Sequence, residues 1–79
     1  MYLAVKNVRP IENHHLILTF ENGQVRNFDM NPYLDIGIFQ ELRDISMFNS
    51  VRLSFDTIAW ANDADLDPEL LYKNSKLVE

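Results

Sequence analysis

The stretch His15-Leu16-Ile17-Leu18-Thr19-Phe20-Glu21-Asn22-Gly23-Gln24-Val25-Arg26-Asn27-Phe28 sets two apolar runs on either side of Asn-Gly. That dipeptide between strand-like runs supplies the positive φ angles of a type I′ turn, so residues 15–28 are predicted as an antiparallel β-hairpin. A two-residue loop at Asn22 and Gly23 sets Phe20 opposite Val25 and Ile17 opposite Phe28, on opposite faces because side chains alternate along a strand. Both faces then carry apolar groups. Either a bulge resets the phase between Val25 and Phe28, or a helix or another subunit covers the second face.

Outward from the hairpin, residues 2–9, beginning at Tyr2, read as a first strand whose alternation breaks near Asn7, and Pro10 ends it or marks a sheet edge. Residues 51–61 read as a second ribbon. A turn at Asp56 and Thr57 pairs Phe55 with Ile58 and Leu53 with Trp60 on one face, although Thr57 is ill suited to positive φ. Asn31-Pro32 and Asp67-Pro68 each place a capping side chain before a proline, the expected start of a helix. After Asp67, Leu66 and Leu71 take the hydrophobic-staple positions and Glu69 meets the positive end of the helix dipole, predicting a helix over residues 68–74. Ile38, Phe39, Leu42, Ile45 and Phe48 recur at spacings that fit one or two helical turns against the sheet, after a break at Gly37. The expected architecture is α+β, a small and mainly antiparallel sheet of about five strands with two or three short helices.

A chain of 79 residues leaves room for one domain, residues 1–79, and 47% hydrophobic with 24% charged residues is the balance of a folding chain. Such a short chain buries only about 60–65% of its unfolded surface, so a partner or a second copy would help its core. Cysteine is absent, which excludes a disulfide staple and a thiolate zinc site. No apolar run reaches the roughly 18 residues needed to span a bilayer, and the start lacks the pattern of a secretory signal, so a cytoplasmic protein without membrane contact is expected. The net charge of -5 repels phosphate backbones, so direct nucleic-acid binding by this chain alone is not expected. Asp56, Asp63, Asp65, Asp67 and Glu69 fall in a stretch without a base, giving the last third a negative patch.

Asp63, Asp65 and Asp67 have the alternation of a calcium loop, but Pro68 and Asn74 stand where that loop needs glycine and a bidentate glutamate. Helix capping explains Asp67 and Glu69 without a metal, and none is assigned. His14 and His15 are adjacent, point apart on a strand, and read as a turn pair. Ser46, Ser50, Ser54 and Ser75 lie in no nucleophile motif, and no glycine-rich loop cradles a phosphate; neither an enzyme nor a cofactor is expected. Trp60 has two readings, an anchor of the core or a partly exposed aromatic beside carboxylates.

In order, Leu18-Thr19-Phe20-Glu21-Asn22-Gly23, Phe28-Asp29, Phe39, Leu42, Asp44, Phe48, Ile58-Ala59-Trp60, Asp65-Leu66-Asp67-Pro68 and Leu71-Tyr72 resemble the bacterial domain-of-unknown-function family 2442 over residues 5–72. That family's loop after the tryptophan commonly carries Pro and Gly, where this chain has Ala61 and Asp63. The resemblance implies a compact α+β fold and an antitoxin-like role in small two-gene modules; some relatives carry a separate helix-turn-helix domain that would read DNA. No extension of that kind is expected here. The first expectation is therefore a protein-interaction module engaging a small basic protein through Trp60, Asp63, Asp65 and Glu69. A second is a small-ligand or sensor domain with an apolar pocket lined by Tyr33, Phe39 and Trp60. A homodimer closing over the second sheet face is compatible with either.

Overall fold

The computed structural model describes residues 3–78; Tyr2, where the first strand was expected to begin, lies outside them. The fold is α+β, with seven strands among the described residues divided between two antiparallel sheets. The larger comprises β1 (Val5–Ile11), β2 (His15–Phe20), β3 (Val25–Asp29) and β7 (Lys76–Leu77), in the order β1-β2-β3-β7. The smaller comprises β4 (Arg52–Ser54), β5 (Thr57–Ala59) and β6 (Asp65–Leu66) in sequence order. Two short α-helices, α1 (Ile45–Phe48) and α2 (Pro68–Asn74), join three 3₁₀ segments at Glu12–His14, Asn31–Tyr33 and Gly37–Arg43. The count exceeds the expected five strands because β6 and β7 are two residues each, too short to show a period.

The central hairpin exists, but its turn is one residue longer than Asn-Gly suggested. Thr19 pairs with Val25 and Leu16 with Phe28. The Phe20 N–H donates to the Gln24 carbonyl (3.0 Å) and the Gly23 N–H to the Phe20 carbonyl (2.9 Å), enclosing Glu21, Asn22 and Gly23. Only Gly23 takes positive φ (+86°); Asn22 instead accepts the Gln24 N–H on its side chain at 3.0 Å. This is a three-residue loop closed by a glycine bulge, not a type I′ turn. The extra residue reverses the facing of β3 relative to β2. Leu16, Leu18, Phe20 and Phe28 now share one buried face, while Ile17 and Val25 lie on the other, partly exposed. Neither a bulge between Val25 and Phe28 nor a cover is required.

β1 shows the expected break of register between Val5 and Asn7 and lies at a sheet edge, where Pro10 costs no ladder bond to a further strand. In the second ribbon Leu53 pairs with Ile58 and Ser54 with Thr57, so the turn falls at Phe55 and Asp56. Phe55 therefore leaves the apolar face to which it was assigned: it takes φ +55° at the tip and is 101% exposed. That shift spares Thr57 the positive φ it disfavours.

A second hairpin joins β5 to β6 and repeats the first turn residue for residue. The Trp60 N–H donates to Ala64 O (2.9 Å), the Asp63 N–H to Trp60 O (2.9 Å), and the Ala64 N–H to Asn62 Oδ1 (3.1 Å). Asp63 takes φ +68°, in the place that Gly23 holds in the first hairpin.

The helix starts differ from one another. Asp67 caps α2 as expected, accepting the Glu69 N–H at 2.9 Å, and Pro68 opens the helix, which ends at Asn74. Asn31 is not a cap: its side-chain amide donates to Asn13 O and Asp29 Oδ1, and Asp29 accepts the Asn31 N–H. Of the periodic set, Leu42 and Phe48 are buried and Phe39 packs against the core, whereas Ile38 and Ile45 are exposed. Gly37 makes the break at φ +48°. One cluster unites both sheets and helices, including Val5, Leu18, Phe28, Ile58, Trp60 and Leu71.

Candidate functional site

Trp60 is fully buried, donates its indole N–H to the Phe48 carbonyl at 3.0 Å, and packs between Phe48 and Phe39 with ring centroids 6.4 Å from each. It anchors the core and presents no surface to a partner. Its three assigned companions are differently placed. From residue 63 to 69, Asp63, Asp65, Asp67 and Glu69 are exposed while the alternate residues Ala64, Leu66 and Pro68 are buried. The turn, β6 and the start of α2 thereby hold four carboxylates outward on an anchored segment. No Lys, Arg or His forms an ion pair with them among the described residues, whose pairs are His15–Asp29 and Arg43–Asp35. Asp67 caps α2, and Glu69 lies in its first turn at the positive end of the helix dipole.

The pairing Ile58 with Leu66, carried one step, places Thr57 beside Asp67, and Thr57 Oγ1 donates to the Leu66 carbonyl. The Phe55-Asp56 turn therefore projects from the end of the small sheet at which α2 begins. Phe55 is the exposed aromatic that the sequence reading sought in Trp60. Its signal was its place next to an aspartate at a turn, obscured by the alternation that Val51, Leu53 and Phe55 share.

The three residues assigned to an apolar pocket are engaged in packing. Tyr33 stacks on Phe28 with centroids 5.5 Å apart, and Phe39 meets Trp60 edge-on. A hollow of about 360 Å³ opens elsewhere, on the larger sheet where β7 meets β3, and is lined by His15, Asn27, Asp29, Asn74, Lys76, Leu77 and Val78. His15 Nδ1 lies 2.8 Å from Asn27 Oδ1 and donates to it, while Nε2 lies 3.5 Å from Asp29 Oδ1. Burial raises the Asp29 pKa, but hydrogen bonds from the Asn31 backbone N–H and side-chain amide, with the charge of His15, outweigh it and hold the carboxyl below its ordinary value. This grouping was not legible from sequence, because Lys76 and Asn27 meet only through a two-residue strand.

His14 and His15 turn to different partners, His14 Nε2 lying 3.2 Å from the Arg43 carbonyl. Among the described residues no group of three or more His, Cys, Asp or Glu is placed to hold a metal ion. Asp63, Asp65 and Asp67 stand along an extended segment and do not converge. Among the described residues no helix is long and apolar enough to cross a membrane.

The model of the family described as "Protein of unknown function (DUF2442)" matches residues 5–76. The chain belongs to that family. The match takes in both hairpins, α2 and the first residue of β7, so the repeated turn and the acidic row lie within the DUF2442 unit. No curated protein and no solved structure matches the chain.

Proposed function

We propose that this DUF2442 chain is a non-enzymatic protein-interaction module whose contact surface is the acidic row Asp63, Asp65, Asp67 and Glu69. The observation that carries the reading is the alternation itself: each carboxylate is exposed while its neighbours are buried, so the row is fixed in place and lacks basic counter-charges among the described residues.

The partner that complements such a row is a small basic protein, drawn in by long-range attraction and sensitive to salt. Phe55, exposed at the end of the small sheet where the row finishes with Asp67 and Glu69, supplies the apolar contact that charge alone lacks. In the bacterial cytoplasm this would be the antitoxin-like half of a two-gene module, neutralising the basic product of the other gene. The test is native capture of the tagged chain, with mass determination of what elutes, beside a triple variant Asp63→Lys, Asp65→Lys, Glu69→Lys. A stoichiometric basic protein retained by the parent chain and lost by the variant is expected. Equal retention by both, or recovery of the chain by itself, would refute this placement.

A further inference from the structure

The hollow beside β7 brings opposite charges together without joining them. Asn27 of β3 is paired with Lys76 of β7, and Asp29 lies two residues along β3, so Lys76 and Asp29 are diagonal neighbours on one face. Diagonal side chains of this kind start about 7 Å apart. Both line the hollow, yet they form no ion pair with each other. Lys76 has no polar partner among the described residues. On Asp29, Oδ1 takes both Asn31 donors and faces His15, which leaves Oδ2 open.

The amides sort in the same way. Asn27 Oδ1 is taken by His15, leaving its NH₂ free beside Lys76. The Asn74 NH₂ reaches Tyr33 Oη at 3.3 Å, leaving Asn74 Oδ1 as an acceptor. One side thus offers donors and positive charge, Lys76 with the Asn27 amide, and the other offers acceptors and negative charge, Asp29 with Asn74. Val78, about half exposed and on the same face as Lys76, completes the wall with apolar surface. The Val78 N–H donates to the Val25 carbonyl at 2.8 Å, which holds that wall against the sheet.

We infer that this cleft binds a free α-amino acid with an apolar side chain, its carboxylate on Lys76 and Asn27 and its ammonium on Asp29 and Asn74. Ammonium and carboxylate on one carbon, each extended by a charge-assisted hydrogen bond of about 2.8 Å, span the gap between the two poles. The side chain rests on Val78. The site is separate from the acidic row and stands whether or not that row binds a protein.

Leucine is the probe. In a titration followed by backbone amide NMR, leucine should shift the resonances of Asn27, Asp29 and Lys76, with an affinity of about 1 mM. N-acetylleucine, which lacks the ammonium, and leucinamide, which lacks the carboxylate, should each bind about tenfold more weakly or worse. Lys76→Met, at an exposed side chain with no structural partner, should weaken leucine by a similar factor, as should Asp29→Asn. Absence of shifts up to about 10 mM leucine, shifts centred elsewhere, or equal binding of the blocked compounds would overturn the assignment. So would unchanged affinity in both variants.

Discussion

Phe55 and Asp29 show how much one position can carry. A left-handed backbone costs a residue with a side chain about 1–2 kcal/mol, and Phe55 bears that cost at φ +55° while burying nothing. Phe55→Gly should therefore raise stability by about 1 kcal/mol in urea unfolding, and, if the residue serves a partner, weaken capture at the same time. A fall in stability would mean that the ring packs in solution. Asp29 contributes to the response to acid. Its pKa is lower folded than unfolded, so it adds stability above the unfolded value and loses it as pH falls through the folded one. Urea midpoints measured down through the carboxylate range should fall more steeply for the parent than for Asp29→Asn. Parallel curves would remove Asp29 from that role.

At the scale of elements, the two hairpins make a controlled pair. Phe20-Glu21-Asn22-Gly23-Gln24 and Trp60-Ala61-Asn62-Asp63-Ala64 share every turn hydrogen bond described, and differ at the left-handed position. An added Cβ at Gly23 would touch nothing within 4 Å, so only backbone strain opposes it. Gly23→Ala should cost about 1 kcal/mol and Asp63→Gly should gain a similar amount, both read from urea midpoints. Opposite signs in the two turns are the outcome to look for; a loss at both would mean that the Asp63 side chain stabilises its turn. Asn22-Gly23 was legible as a turn because glycine marks it, whereas Asn62-Asp63 was not, for want of glycine. The length of either loop was not legible, since the hydrogen bond that closes it lies between residues whose spacing fits more than one turn.

In the whole molecule, Arg26 ties the C-terminal elements to the first hairpin. Its Nε donates to Ser75 Oγ (2.7 Å), Nη2 to Ser75 O (2.8 Å) and Nη1 to Gln24 Oε1 (3.0 Å), while its guanidinium lies 4.4 Å from the centre of the Tyr72 ring. Tyr72 in turn donates to Gln24 Oε1 and meets Phe20 edge-on. Arg26→Met would leave the buried Ser75 short of a donor and should cost about 2–3 kcal/mol. In hydrogen exchange, protection should drop over α2 and residues 75–78 while β1 and β2 keep theirs; a uniform drop would show that the molecule opens as one unit. The sequence by itself determined the α+β class, both main hairpins, the bounds of α2 and the exposed acids, because alternation, caps and turn residues act over a few neighbours. Tertiary structure alone decided the registers, the burial of Trp60 and the cleft at β7. Each of those depends on which distant segment satisfies a hydrogen bond or fills a space, as Arg26 and Ser75 do across the length of the chain.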